Sequence, residues 1–349
     1  MNAKNALDNL INISRIHFYK PIQIAEILYH DRTQPGSVDI EVLESYRSIS
    51  RRWRDEVSHR LVGNISTSSS RYQDNLFDDN ALPPHYLSEL ALVNRQQAGI
   101  VESYIYHRMG QKWGDLSDAY NYLFESTQDS FNLARFLDFF ERGTGLARSV
   151  DKAYEIVVYS LFSTLVDALN ATITLALNNP NPHIIGDFEA FIQQVLGLSQ
   201  DVPKITLPAQ LYRAGVTNAA DRGLDIWTNY GPIVQVKHLR LDLPLAERML
   251  DELPTSTMII VCKSADANLI QSLLNQLGLR IRGIITQDDL ENWYALCFKN
   301  YRTTLGSKLL TDLRNEFRIE FPQLVEFEDF LNERRYTENQ LTGLWSINL

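Results

Sequence analysis

Asp221-Arg222-Gly223-Leu224-Asp225-Ile226-Trp227-Thr228-Asn229-Tyr230-Gly231-Pro232-Ile233-Val234-Gln235-Val236-Lys237-His238-Leu239-Arg240 is the stretch whose reading decides the fold. Leu224, Ile226 and Trp227 make one apolar run, and Ile233, Val234, Val236 and Leu239 make another. Asn229-Tyr230-Gly231-Pro232 supplies turn chemistry between them, so the spacing predicts a β-hairpin over about 223–239. Side chains alternate across a strand, which puts Gln235 and Lys237 on one face and Val234 and Val236 on the other. Pairing the two runs can bring Asp225 to the polar face. A carboxylate, an amide and an ammonium then converge at the edge of an otherwise apolar hairpin. The same spacing fits a solvated surface hairpin equally well.

Working outward, Arg142-Gly143-Thr144-Gly145 marks a boundary beyond which the pattern turns mixed α/β. An apolar helix is expected over 151–169, a strand over 171–177 and a short helix over 188–198. After the hairpin come a helix over 245–253, a strand over 258–262, a helix over 267–277 and a strand over 281–285. The order is helix, three strands, then helix–strand–helix–strand. That order, with Asp-x(9)-Gln-x-Lys at its centre, resembles the PD-(D/E)xK nuclease core. Leu224 stands where that superfamily often has Pro, and Gln235 stands where Asp or Glu is usual. The resemblance implies a divalent metal held by Asp225 and the main-chain carbonyl of Val236, with one anionic ligand fewer than usual.

Composition sets the outer limits. A chain of 349 residues, 44% hydrophobic and 22% charged, is that of a globular protein with a substantial core. No run reaches the ~20 apolar residues that span a bilayer, and Met1 to Asp8 lacks the basic-then-apolar layout of a secretory leader. Cys262, in Met258-Ile259-Ile260-Val261-Cys262, reads as a core residue, and neither it nor Cys297 sits in a metal-ligand cluster. The expectation is a reduced, cytoplasmic protein. A net charge of −10 weighs against a general polyanion binder, although local patches govern contact.

The first 145 residues read as helical. Pro21 opens a helix that stops before Pro35-Gly36, and Asp39 is placed to cap a second from Ile40 to about Leu61. This helix pair also resembles a helix-turn-helix. Arg47, Arg51, Arg52, Arg54 and Arg60 lie largely off its apolar stripe, as a solvated face or as phosphate contacts. Ser66 to Asn75 offers hydroxyls and then Arg71, Gln73 and Asn75, residue types that pair with phosphates and with guanine or adenine edges; a capped polar loop has the same composition. The aromatic residues between 104 and 140 read as core. Gly99-Ile100-Val101 and Tyr104-Ile105-Tyr106 superficially match a GIY-YIG nuclease signature but fall in a helical pattern and the wrong arrangement. Acidic residues gather between 316 and 333.

Three longer segments carry a more specific likeness: His17 to Leu28, Ser66 to Ser69 with Arg71 to Phe77, and Gly215 to Asp225. Together they resemble the HaeII-type restriction endonucleases, through nearly the whole chain. The resemblance implies an α/β (α+β) protein: a helical DNA-recognition and dimerisation region over 1–145, a catalytic core with a mixed sheet over 146–300 and a helical extension over 301–349. It implies a Mg²⁺-dependent type II enzyme that cuts double-stranded DNA at a short palindrome with a GCGC centre. Phosphodiester hydrolysis is very slow uncatalysed, and a bound Mg²⁺ both offsets charge and acidifies water. Asp225 would anchor the metal, Lys237 would orient the water, and Gln235 cannot act as a base. Glu155 on the first core helix is the candidate for the missing carboxylate, with Glu189 second; each is also readable as a structural acid. Arg51, Arg54, Arg71, Gln73 and Asn75 are the candidate DNA contacts. A palindrome suits a two-fold homodimer, and a cognate DNA methyltransferase is the expected functional companion. The competing readings are a non-catalytic helix-turn-helix regulator and a repair or methyl-dependent nuclease with the same core.

Overall fold

The helices of the first half form where apolar residues recur at helical spacing and end where the backbone is punctuated. In the computed structural model they are α1 (Ala3–Ile13), α2 (Tyr19–Thr33), α3 (Ile49–Val62), α4 (Pro84–Gln96), α5 (Ile100–Glu125), α6 (Leu133–Arg142) and α7 (Val150–Ala168). The structure describes residues 2–66, 69, 73–142, 146, 149–178, 181–214, 224–252, 257–277, 280–321, 323, 324, 326–339 and 341–346. Asn2 caps α1 by accepting from the Asn5 N–H at 2.8 Å. The other end of α1 is closed by a buried cation: Lys112 Nζ donates to the carbonyls of Ile11 (2.7 Å) and Ser14 (2.9 Å). Gly63 ends α3 at φ +70°, and Gly99 precedes α5 at φ +91° with Arg32 so close that a Cβ would sit 3.1 Å from its guanidinium.

The expected helix from Ile40 to Leu61 is broken. A short turn over Leu43–Tyr46 precedes α3, and Asp39 caps a tight loop by accepting from the Glu41 N–H at 3.1 Å.

The chain forms two compact units: residues 1–156, 215–221 and 313–349, and residues 157–214 and 222–312. In the first, Tyr104, Tyr106, Phe136 and Phe140 are core as expected, while Tyr120, Tyr122 and Phe139 are half-buried. Phe136 and Phe140 are wholly buried and pack with Phe317 and Phe321, ring centroids 4.9–6.2 Å apart. Those last two lie on α11 (Ser307–Glu320) and at its end; α12 (Phe327–Glu333) follows, after α8, α9 and α10 of the second unit, given below. The acidic C-terminal residues bind named cations. Arg60 donates to Glu326 (2.9 Å) and to both oxygens of Glu333 (2.6 and 2.7 Å), and Arg334 reaches buried Glu26 at 3.2 Å.

The second unit is built on a five-stranded sheet in the order β3 (Leu211–Arg213), β4 (Ile226–Thr228), β5 (Ile233–Leu241), β6 (Met258–Ala265), β7 (Ile281–Thr286). β3, β4 and β5 are antiparallel neighbours; β5, β6 and β7 are parallel. The parallel steps are crossed by α8 (Leu243–Glu252) and α9 (Ala267–Leu277), because parallel neighbours need a crossover. Ala246, Met249 and Leu273 from these helices bury one sheet face with Ile233, Met258, Ile260 and Cys262. α10 (Gln287–Asn300) starts at a Thr286–Asp289 capping box and ties to α7 through Tyr294, whose hydroxyl donates to the Val157 carbonyl at 3.0 Å.

The order helix, three strands, helix–strand–helix–strand therefore holds, with one substitution of members. The strand expected at 171–177 exists as β1 (Thr172–Ala176), but it pairs with β2 (Lys204–Pro208) in a separate two-stranded ribbon. The first strand of the main sheet is instead β3, three residues too short to leave a periodic signature.

Candidate active site

The β4–β5 register is Ile226↔Val234 and Trp227↔Ile233. Continued by one residue, it sets Asp225 opposite Gln235, on the face shared with Lys237. Asp225 is buried, and its Oδ2 accepts from the Val236 backbone N–H at 2.7 Å. Its own backbone carbonyl accepts from the Ala214 N–H at 2.8 Å, so the residue is held from both neighbouring strand segments, its main chain on one side and its carboxylate on the other. The amide of Val236 thus bonds a side chain where β4 has run out. In an extended strand the carbonyl of a residue lies on the same edge as its N–H, which turns the Val236 carbonyl toward Asp225.

Gln235 is fully buried opposite Ile260, and Lys237 is half-buried opposite Cys262. Among the described residues Lys237 forms no hydrogen bond or ion pair. A half-desolvated ammonium without an anion is costly to keep for stability alone, which makes it a functional signal. β5 pairs regularly with β6 through Lys237 and resumes at Arg240↔Ser264, so His238 and Leu239 form a bulge. A bulge bends the strand immediately after Lys237. Cys262 is a buried free thiol pushed up to about 11 by burial, an unreactive core group as its apolar run indicated.

The turn is fastened by residues that local patterning did not reveal. Asn229 accepts from the Gln210 N–H (2.8 Å) and donates to the Pro208 carbonyl (3.0 Å), while Thr228 Oγ1 donates to the Pro232 carbonyl (2.7 Å). Tyr212 and Trp227, opposite each other on β3 and β4, stack at 4.0 Å. Only the Asn-Tyr-Gly-Pro composition hinted at this, because the partners of Asn229 lie some twenty residues back.

Glu155 is buried in α7 and bonded to Lys152 at 2.6 Å; it belongs to the first unit, and Asp225, Gln235 and Lys237 to the second. Glu189 accepts from Gln193 Nε2 at 2.8 Å and the Gln200 N–H at 3.4 Å. Among the described residues no group of three or more His, Cys, Asp or Glu side chains is placed to hold a metal ion.

The candidate DNA contacts separate sharply. Arg54 is not on a solvated face. It is 1% exposed, with Nη1 donating to Gln23 (3.1 Å) and Gln73 (2.9 Å) and Nη2 to Asp55 (2.7 Å). Gln23 in turn donates to buried Ser50 at 3.0 Å. The sequence did hold a cue: Ser50 and Ser58 flank Arg54 one helical turn away on either side, small residues that make room for a guanidinium. Arg51 is half-buried and, among the described residues, hydrogen-bonds to Ser48 at 3.3 Å; Arg71 lies outside the described residues. Asn75 Oδ1 accepts from Lys20 Nζ, so its amide nitrogen is the atom turned toward a further partner. Asn75 lines a groove of about 750 Å³ with Arg47, Ser69, Asp74 and Asp78. Arg47 there is already paired with Asp74 (3.0 Å) and Glu44 (2.7 Å).

The profile of the HaeII restriction endonuclease family matches residues 3–336. The chain belongs to the HaeII restriction endonuclease family. It is 45% identical to the type II restriction enzyme HaeII of Haemophilus aegyptius, over 96% of this chain and 97% of that one. It is 44% identical to the type II restriction enzyme NgoBI of Neisseria gonorrhoeae, over 95% of this chain and 94% of that one. No solved structure is significantly similar. Membership makes the chain a type II restriction endonuclease, a DNA-binding hydrolase, and removes the non-catalytic regulator. No helix among the described residues is long and apolar enough to cross a membrane.

Restriction endonucleases generally use a divalent metal ion. The donors gathered here, the Asp225 carboxylate, the Gln235 amide and the Val236 carbonyl, offer oxygen atoms, which suits a hard divalent cation. They supply a single negative charge, so the fit is one of donor type with an anion still to come from elsewhere in the chain.

Proposed function

We propose that this chain hydrolyses phosphodiester bonds of double-stranded DNA at a short palindrome with a GCGC centre, using Mg²⁺ and leaving 5′-phosphate ends. The observation that carries the reading is Asp225, clasped by the Val236 amide across from Gln235, with Lys237, which has no partner among the described residues, two residues further on the same face. Asp225, the Val236 carbonyl and Gln235 would hold the metal. When bound, the ion supplies charge neutralisation at the scissile phosphate and acidification of a water.

The chain's own groups divide the remaining work. Lys237 has no competing anion among the described residues, and its ammonium orients the attacking water and offsets the negative charge that builds on the phosphate. Gln235, buried and neutral, holds position by hydrogen bonding and takes no proton. The hydrogen bond from the Val236 N–H fixes which oxygen of Asp225 faces the strand. The helical region reads the target, with Arg51, Arg71, Gln73 and Asn75 as contacts and Arg54 holding Gln73. A two-fold homodimer places one centre on each strand, and the companion methyltransferase protects the host's copies of the site.

Unmodified plasmid DNA incubated with and without Mg²⁺ tests this. Discrete fragments only with the metal, with ends mapping to one GCGC-centred palindrome and carrying 5′-phosphates, are the expected result. Metal-independent cutting, or ends scattered over unrelated sequences, would contradict it. Cutting confined to methylated DNA would favour the modification-dependent nuclease.

A further inference from the structure

Trp227 differs from the other tryptophans of the chain. Trp53, Trp113 and Trp345 are buried and Trp293 is half-buried, whereas Trp227 is 41% exposed. Its neighbours Ile226 and Thr228 turn inward, so β4 presents this one side chain to water. The sheet explains why it is left uncovered. The helical layer of Ala246, Met249 and Leu273 reaches Ile233, the cross-strand partner of Trp227, and Trp227 is not part of that buried cluster. The indole is nevertheless held still. Tyr212, opposite it on β3, stacks on it with ring centroids 4.0 Å apart and planes 16° from parallel, and the Tyr212 hydroxyl donates to Gln210 Oε1 at 2.5 Å. Tyr212 thus takes up one face of the indole. The indole N–H has no hydrogen-bond partner among the described residues.

We infer that Trp227, braced by Tyr212, packs against the sugar–phosphate of the nucleotide next to the scissile phosphate and so sets that phosphate beside Asp225. The inference rests on the proposed reading of Asp225 and Lys237 as the cutting site. Position comes first. Side chains two apart on a strand share a face, so Trp227 and Asp225 are rooted side by side, about 7 Å apart along β4, within the reach of one nucleotide unit. Charge agrees. Residues 209–214 and 225–241 carry Arg213, Lys237 and Arg240 against Asp225 alone, in a chain of net −10, so the strands around the indole suit a polyanion. Chemistry names the part of the DNA that is met. In a duplex the bases stack on one another, which leaves the C–H face of a deoxyribose and its phosphate as the surface on offer. An indole has an apolar face for the first and an N–H donor for the second. Because Tyr212 fixes the ring before DNA arrives, little further ordering is required on binding.

Fluorescence and single-turnover cleavage on the full chain test this. An Asp225→Asn protein should bind target DNA without cutting it, and the bound duplex should shield the indole. Acrylamide quenching should therefore fall when target is added, and a Trp227→Phe/Asp225→Asn protein should lack that change. With Mg²⁺ and saturating enzyme, Trp227→Ala should cut about a hundredfold more slowly, the loss that a misplacement of about 1 Å brings. Its affinity for the target should change far less, and its melting temperature should match the wild type. Trp227→Phe should recover most of the rate, because its ring still stacks on Tyr212. Quenching that is the same with and without bound DNA overturns the inference, as does wild-type cutting by Trp227→Ala. A loss of cutting that follows a lowered melting temperature, with no shielding by DNA, makes the indole a packing residue and overturns it equally. Failure of the catalytic reading looks different: Asp225→Asn would then cut at the wild-type rate, whatever the indole does.

Discussion

Two places gather polar side chains away from water, and they do so on opposite terms. Around Arg54, guanidinium, amide, hydroxyl and carboxylate groups from α2, α3 and the segment at Gln73 bond to one another. At the β4–β5 end, Asp225 is held by a backbone amide while Lys237, half-buried, has no partner among the described residues. The first arrangement satisfies itself and therefore stabilises. The second leaves an ammonium without an anion among the described residues, and under the proposed reading a substrate phosphate and a cation complete the set. The difference shows why a count of arginines is a poor guide to DNA contact: of the five between 47 and 60, Arg47, Arg52, Arg54 and Arg60 are paired with carboxylates of the chain itself.

The sharpest break of that comparison is kinetic. Lys237→Ala and Asp225→Asn should each lower single-turnover cleavage by about 10³-fold or more while DNA binding and the melting temperature change little. Near-normal cutting by Lys237→Ala would move the chemistry elsewhere. Arg54→Met should behave in the opposite way. Removing one partner from a buried charged network costs about 3–5 kcal/mol, read as a lower urea midpoint, and any loss of cutting should follow the loss of folded protein. A stable variant with weakened phosphate contact would return Arg54 to the DNA surface.

Specificity offers a finer test. Asn75→Ala should reduce discrimination between the target and a single-base variant by about 1–3 kcal/mol, roughly ten- to a hundredfold, with little change in non-specific binding; an equal loss on all sequences would make it a backbone contact. The smallest effect concerns pH. Burial raises the Glu26 carboxyl above its ordinary value, opposed by Arg334 and by the Tyr106 hydroxyl. A raised folded value means that the group's contribution to stability is fully present below its unfolded value of 4.5 and is lost as pH rises through the folded one. The unfolding free energy of wild type minus that of Glu26→Gln should therefore fall from pH 4.5 upward. A rising difference would show the ion pair with Arg334 outweighing desolvation.

Much of the second unit was legible because its signals are local. Strands β5, β6 and β7 are long enough to show apolar periodicity, and the helices between them are amphipathic over ten or more residues. β3 was not legible: three residues carry no period, and their membership of the sheet comes from pairing with β4. The strand at 172–176 shows the converse, a good strand by pattern whose partner, thirty residues on, makes it a ribbon outside the main sheet.

By itself, the sequence determined the hairpin and the order of elements around it, because alternation and helical spacing act between residues a few positions apart. It also carried the long segments through which the family is recognised. Tertiary structure alone decided that Arg54 is buried, that Asn75 meets Lys20 and that the acidic end of the chain binds Arg60. It also decided that Lys237 has no counter-ion among the described residues. Each of those outcomes depends on which distant groups share a low-dielectric space, and a charge separated from its partner by tens or hundreds of residues leaves no trace of the pairing in its neighbours.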